Sequence, residues 1–359
     1  LIPYLKAAQE LKTKPTQHSV KALLEYGIQP DILVCRTEKP LNKEIRRKVA
    51  LFCNVEPDAV IESIDASTIY DVPFLMKEEK LDEVVLRKLH VEAEHKHELG
   101  PWSKFIKKLK NPSREVNIAL VGKYTELKDA YKSISESFIH AGVANDAKVN
   151  VEWISSEDIT SENIEKKLKN VSGVLVAPGF GERGIEGKIN TIKFVRENNI
   201  PFLGICLGMQ SAVIEFARNV LGYSDAHSSE MNSQTQHPVI DLLEDQKKIV
   251  NKGGTMRLGA YSCSIKENTL ASKIYKLETI SERHRHRYEF NNKYLDEFVK
   301  AGMINSGMNS KTHLVEIVEI PTHPFFIGVQ FHPEYKSTVA QPHPLFVNFV
   351  AAALKVKKD

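Results

Sequence analysis

The chain is poor in three things, and each scarcity narrows what it can be. Only four of its 359 residues are cysteines, Cys35, Cys53, Cys206 and Cys263, spread widely and without a CxxC pair. That pattern fits neither a disulfide framework nor a zinc ribbon. A reducing cytosol is its natural setting, so a cytoplasmic location is expected. No apolar run approaches the roughly 18 residues that a spanning helix needs, and no membrane role is expected. Excess charge is missing too. The 49 basic residues stand against 46 acidic ones, a net charge of +3, which argues against a general nucleic-acid coat.

What is present is the composition of an ordinary soluble protein, 42% hydrophobic and 26% charged, long enough for two cores. The abrupt start, Leu1-Ile-Pro-Tyr4, reads as the middle of something longer. Residues 1–97 form a first block. A basic, polar stretch from Lys12 to Lys21 leads into a helix ending near Tyr26. Buried strands are expected at 31–36 and 59–64, with a helix over 43–52 capped by Asn42 and another over 81–89. Residues 98–114, punctuated by Pro101 and Pro112 and carrying Lys104, Lys107, Lys108 and Lys110, read as a linker with one or two amphipathic turns. From 115 to 359 the rhythm is that of a doubly wound α/β domain. Strands are expected at 116–121, 149–154, 173–176 and 202–205, with helices over 129–141, 161–169 and 187–197. Later β-like segments fall at 259–265, 314–319 and 325–331.

The most informative stretch is Gly204-Ile-Cys-Leu-Gly-Met-Gln210. An apolar strand introduced by Pro201 is followed by apolar residues at helical spacing up to Gly222. Cys206 sits at the reversal between two glycines. That geometry holds a thiol at a helix N-terminus, where unpaired N–H groups favour the thiolate. The plainer alternative is a cysteine packed as a small apolar residue. A thiol nucleophile needs a base and a group to orient it. Phe325–Phe331 is an apolar strand that ends in His332-Pro-Glu334. Residues two apart on an extended chain face the same side, so Glu334 can hold one imidazole nitrogen while the other faces Cys206. Between a strand ending near Val176 and the next helix lies Ala177-Pro-Gly-Phe-Gly181. It reads either as a tight turn or as a loop whose Gly179 N–H, with that of Leu207, stabilises an oxyanion.

Together these segments resemble the class I glutamine amidotransferases, and further motifs resemble the CTP synthases among them. Those motifs are Lys12-Thr-Lys-Pro-Thr-Gln-His-Ser-Val20, Gly27-Ile-Gln-Pro-Asp-Ile-Leu-Val-Cys-Arg36, Val121-Gly-Lys-Tyr124, Gly253-Gly-Thr-Met-Arg-Leu-Gly259 and Glu282-Arg-His-Arg-His-Arg-Tyr288. The resemblance implies a Rossmann-like glutaminase domain over 115–359, preceded by the C-terminal part of a P-loop-type synthase domain over 1–97. It implies catalysis by Cys206, His332 and Glu334, with oxyanion donors at Gly179 and Leu207. Glutamine would be held by Gly179, Leu207, Gly208, Met209, Gln210, Glu230 and Arg287. UTP and the product CTP would meet Lys12, Thr13, Lys14, Pro15, Thr16, Gln17 and Lys48, and ATP would meet Ile64, Asp65 and Ala66. From composition alone, Lys12, Lys14 and Lys48 read as solvated surface charges.

The implied reaction is ATP-dependent amination of UTP by ammonia from glutamine. It carries with it Mg2+, GTP as allosteric activator, CTP as feedback inhibitor, and a homotetramer built through the synthase domain. Two departures stand out. The family's Pro-Gly-Gly-Phe-Gly loop reads Ala-Pro-Gly-Phe-Gly here, so Pro178 removes an N–H beside Gly179. The phosphate loop and magnesium carboxylates expected early in the synthase domain are not among these residues, since no GxxxxGK[ST] precedes Gly122-Lys123. No metal site is expected in this chain. His95 and His97, and His284 and His286, lack supporting ligand spacing. The Arg283–Arg287 run is too short and isolated for a nucleic-acid patch. Two other readings remain: the glutaminase of a different synthetase, and a regulatory protein that keeps the fold without activity.

Overall fold

The computed structural model describes residues 1–92, 99–242 and 256–356, and the chain divides into two compact units, Leu1–Ile106 and Lys107–Asp359. His95, His97, the first residue of the expected linker and Gly253–Thr255 lie outside the described residues. No described helix is long and apolar enough to cross a membrane.

In the first unit, β1 (Tyr4–Leu5) and β2 (Glu10–Leu11) form a small antiparallel pair. The helix α1 (Lys14–Glu25) opens on Pro15, whose missing N–H would have had no helical partner there. Strands β3 (Leu33–Thr37) and β4 (Val60–Ile64) pair in parallel, with α2 (Lys43–Cys53) in the crossover. Asn42 caps α2, its side-chain oxygen accepting the Ile45 N–H at 2.9 Å. Val20, Cys35, Val49, Ala50, Cys53 and Val60 make one core, so these two cysteines act as packing residues. Helices α3 (Val72–Glu78) and α4 (Leu81–Lys88) follow.

Within the expected linker lies α5 (Gly100–Lys110), longer than the one or two amphipathic turns expected there. Trp102, Phe105, Ile106 and Leu109 recur at helical spacing. The Trp102 indole N–H donates to the Tyr70 carbonyl at 2.7 Å, and the Phe105 ring lies 5.0 Å from that of Tyr70. Its lysines Lys104, Lys107, Lys108 and Lys110 stay exposed.

The second unit is built on a nine-stranded sheet. In chain order its first half comprises β5 (Arg114–Gly122), α6 (Lys132–Ala144), β6 (Ala147–Ser155), α7 (Ile164–Leu168), β7 (Gly173–Val176), α8 (Ile185–Glu197), β8 (Phe202–Ile205) and α9 (Leu207–Asn219). The short strands β9 (His227–Ser228) and β10 (Pro238–Asp241) come next. After them run β11 (Arg257–Ile265), α10 (Leu270–Tyr275), β12 (Thr279–His286), β13 (Glu289–Phe290), α11 (Leu295–Ala301), β14 (Ile304–Asn309), β15 (Val315–Glu319), β16 (Phe326–Val329) and α12 (Pro344–Ala353). The strand order is β12-β11-β14-β15-β16-β8-β7-β5-β6. From β16 to β6 the pairings are parallel, and from β16 to β12 they are antiparallel. One face packs on α8 and α9 and the other on α6 and α12, each through its own apolar cluster.

Two strands are not apparent as apolar runs. β12 carries Glu282-Arg-His-Arg-His286 in strict alternation, Arg283 and Arg285 outward and Glu282, His284 and His286 inward. β14 is polar and contains Gly307, where a side chain would strike Ile317 and Cys263. The helix expected over 161–169 shortens to α7, because Asn163 caps the preceding turn by accepting the Thr160 N–H at 3.0 Å.

Candidate active site

Cys206 occupies the reversal between β8 and α9 with φ 52° and ψ −104°. For a residue with a Cβ this backbone costs on the order of 1–3 kcal/mol, so its surroundings must hold it. The Cys206 N–H donates to the Val329 carbonyl at 2.7 Å, and its own carbonyl accepts the Gln210 N–H at 3.1 Å. The flanking glycines permit the turn to close. A Cβ on Gly204 would come within 2.8 Å of the Gly208 backbone, and one on Gly208 would overlap the Val176 carbonyl oxygen. The thiol is buried at the start of a thirteen-residue helix, as its strand-to-helix pattern implies.

Because β8 and β16 are parallel neighbours, with Ile205 opposite Val329, their C-terminal ends lie side by side. The continuation of β16 therefore meets the elbow. The His332 N–H donates to the Arg283 carbonyl at 2.8 Å, which fixes the backbone. Its Nδ1 lies 2.7 Å from Glu334 Oε1, and both side chains are buried. Burial opposes a charge on this imidazole. The Cys206 sulfur and the Glu334 carboxylate more than offset that, and the His332 pKa is pushed up to about 11. The imidazole thus stays protonated beside the sulfur at neutral pH, which suits a thiolate nucleophile.

A cavity of about 270 Å3 opens above the sulfur, lined by Gly179, Phe180, Cys206, Gln210, Glu230 and Arg287 among others. The loop from Ala177 to Gly181 forms one wall. Its Ala177 N–H donates to Val121 at 2.9 Å. The Gly181 N–H donates to Glu230, whose carboxyl burial raises while Lys123 and Arg287 act in the opposite sense. Lys123 Nζ donates to the carbonyls of Phe180 and of Gly181, the latter at 2.7 Å. With these groups tied outward, no described residue accepts from the Gly179 N–H. A developing oxyanion would find it there together with the Leu207 N–H at the start of α9.

The structure thus gathers Cys206, His332, Glu334, Gly179, Gln210, Glu230 and Arg287 around one cavity and its sulfur. Leu207, Gly208 and Met209 are buried in the first turn of α9. Met209 points into the apolar core and lies 3.2 Å from where a Cβ on Gly328 would be, so its side chain does not line the cavity.

In the first unit, Thr13 Oγ1 accepts from Gln17 Nε2 at 3.1 Å, and Thr16 Oγ1 donates to the Leu1 carbonyl at 2.9 Å. Lys14, Pro15 and Lys48 are exposed, and Lys12 pairs with Glu10. Asp65, after β4 and between Ile64 and Ala66, accepts from Arg36 Nε at 3.1 Å.

Sequence reasoning gave no role to Gln330, Lys188 or the inward histidines of β12. Gln330 is fully buried. Its Nε2 donates to Cys206 Sγ at 3.7 Å, and its Oε1 accepts from Gln210 Nε2 at 3.1 Å. It lies just past the end of β16, and the chain turns at His332 into a short 3-10 helix over Pro333–Tyr335, so this turn, and not the expected extended alternation, sets Glu334 against His332. His284 Nδ1 lies 2.8 Å from His286 Nε2. Burial and the nearby Arg257 push their pKa values down to about 2 and about 3. Arg257 itself bridges Glu289 at 3.0 Å and Glu316 at 2.7 Å. Among the described residues, no three His, Cys, Asp or Glu side chains converge as a metal site.

Residues 126–352 match the family model for glutamine amidotransferase class-I, and residues 1–91 match that for the CTP synthase N-terminus. The chain is 66% identical over 358 residues to the CTP synthase of Flavobacterium johnsoniae, covering 100% of this chain and 67% of that protein. It is 65% identical over 353 residues to that of Cytophaga hutchinsonii, covering 98% and 66% respectively. The chain thus spans about two thirds of the length of the curated relatives it matches. Among solved structures, the glutaminase domain of Trypanosoma brucei CTPS with bound acivicin is 40% identical with a TM-score of 0.63. That match covers 68% of this chain and 96% of the other. A strained cysteine elbow beside a His–Glu pair, on an α/β sheet of this topology and with relatives this close, identifies the chain as a member of the CTP synthase family that carries its class I glutamine amidotransferase domain.

Proposed function

We propose that this chain releases ammonia from glutamine at Cys206 and that the ammonia serves the ATP-dependent amination of UTP to CTP. The observation that supports it most is the buried Cys206–His332–Glu334 arrangement beneath a cavity with free backbone donors. Cys206 Sγ attacks the side-chain amide carbon of glutamine, forming a C–S bond as the carbonyl electrons move to oxygen. The Gly179 and Leu207 N–H groups meet that charge. Collapse of the intermediate breaks the C–N bond, and the His332 proton passes to the leaving nitrogen, which departs as ammonia. Water then attacks the thioester, giving a proton to His332, and glutamate leaves with the thiolate restored.

Gln210, Glu230 and Arg287 suit the amino acid end of the substrate, a carboxylate for its ammonium and a guanidinium for its carboxylate. Gly208 and Met209 contribute through their backbone. In the first unit, Lys12 to Gln17 and Lys48 serve the pyrimidine nucleotide, and Ile64, Asp65 and Ala66 the ATP adenine. These assignments rest on their match to the family. Residues 1–97 are read as the C-terminal part of a P-loop-type synthase domain, 98–114 as the segment joining it to the glutaminase, and 115–359 as the glutaminase.

The described residues hold no cluster suited to Mg2+, so no step through magnesium or ATP is assigned to them. GTP activation, CTP feedback, tetramer formation and a cytoplasmic setting belong to the same reading. Cys206→Ala tests it. The parent chain should release ammonia from glutamine and the variant should lose the activity at least about 10³-fold. Ammonia release by the variant at a rate near the parent's would remove Cys206 from the reaction.

A further inference from the structure

We propose that Lys188 is a positioning residue for glutamine hydrolysis: from behind the oxyanion loop it holds the Ala177 carbonyl and thereby sets the direction of the Gly179 N–H. The inference rests on the glutaminase reading and extends it to a residue that never touches substrate.

Lys188 lies in the first turns of α8 and is completely buried. Its Nζ donates to the Ala177 carbonyl at 2.7 Å and lies 3.9 Å from where a Cβ on Gly179 would stand. The sequence forces it inward in two ways. Ile185, Ile189 and Ile192 are the buried stripe of α8, and Lys188 falls on that stripe three residues after the first and four before the last. In addition, Cβ atoms on Gly184 and Gly187 would overlap Ser156, so these glycines let the start of α8 press against the turn that follows β6. The amine carried on this inner face meets the loop that leaves β7.

The peptide between Ala177 and Pro178 explains why a donor is needed there. Proline has no N–H, so this unit can be held only through its carbonyl. Lys188 supplies that hold. Lys123 grips the far end of the same loop through Phe180 and Gly181. The Gly179 N–H lies between the two anchors, where a rotation of either flanking peptide would swing it away from the sulfur.

The amine is kept at a visible electrostatic disadvantage. Burial, followed by Lys123, pushes the Lys188 pKa down to about 7, with Cys206 acting the other way. An apolar side chain of similar length would pack in the same space without that penalty. Fold stability therefore does not account for the lysine, and its contact with the loop does.

The test uses the full chain with Lys188→Met and Lys188→Gln. Three quantities are read: the urea unfolding midpoint, kcat and KM for glutamine hydrolysis, and the rate at which iodoacetamide alkylates Cys206, followed by mass spectrometry. Alkylation displaces iodide at a saturated carbon and builds no oxyanion. Lys188→Met should fold at least as stably as the parent, lose about 10-fold or more in kcat with KM changed less than about threefold, and keep its alkylation rate within about twofold. Lys188→Gln, which keeps an N–H donor without charge, should recover part of the lost kcat, and it is read against the parent if the methionine variant does not fold. A kcat within twofold of the parent, or an equal loss of alkylation, overturns the positioning role while leaving the glutaminase reading intact. A parent chain that releases no ammonia overturns both.

Discussion

Gly208→Ala is the substitution whose effect follows most directly from the geometry. Gly208 is two residues beyond Cys206 in the first turn of α9, and its missing Cβ faces the Val176 carbonyl at the end of β7. The added methyl would overlap that oxygen, and the obstacle is backbone rather than a movable side chain. About 1 Å must open between α9 and β7 to restore contact, and displacement of that size at a reacting centre costs about 10²-fold in rate. The displacement acts where it matters most. α9 carries Cys206 and the Leu207 N–H, whereas β7 leads straight into the loop with Gly179. The proposed oxyanion donors, the Gly179 and Leu207 N–H groups, are driven apart while His332 and Glu334, on the continuation of β16, are left in place. Overpacking of this kind also costs about 1–3 kcal/mol of stability. The assay is steady-state ammonia release from glutamine on folded protein, with unfolding followed in parallel. A folded Gly208→Ala variant with kcat within threefold of the parent would refute the claim that this contact sets the donor geometry.

Two further outcomes follow from the buried charges. In Glu334→Gln the negative charge beside His332 is lost, so burial is less fully offset and the imidazole gives up its proton at a lower pH than about 11. The alkaline limb of kcat/KM should move down the pH scale, and a limb unchanged from the parent would show that Glu334 does not set the His332 proton. Glu215 is fully buried in α9 and held by Arg196 through Nη2 at 2.8 Å and Nε at 3.0 Å. Arg196→Met should cost about 3–5 kcal/mol in urea unfolding by leaving that carboxylate unpaired. Activity per folded molecule should stay near the parent's, and a loss below 1 kcal/mol would contradict the account.

The elbow was legible because its chemistry is local. A strand, two glycines and a helix follow one another, and the glycines that made Cys206 conspicuous are those whose Cβ atoms would strike Gly208 and Val176. The parallel strands were legible for a similar reason, since β7, β8 and residues Ile118–Val121 of β5 are continuous apolar runs buried on both faces. β12 was not, because three of its four buried positions are Glu282, His284 and His286, whose burial depends on partners such as Glu316 and His343 elsewhere in the chain. The helix over Gly100–Lys110 is longer than the one or two turns its prolines and lysines suggest, because its short apolar stripe finds a partner, Tyr70, that is distant in sequence.

What the sequence alone determined is therefore the choice of candidate reacting groups and the local shape of the turn that presents the thiol. Both depend on residues within a few positions of one another. Only the tertiary structure decided which groups stand around that turn. Parallel pairing of β8 with β16 brings His332 and Gln330 to Cys206, and close packing of α8 on the turn after β6 sends Lys188 beneath the loop that leaves β7. A lysine among isoleucines in a helix carries no local sign of the carbonyl it will meet. That partner is set by how helix and sheet pack, and so the donor behind Gly179 became visible only in the fold.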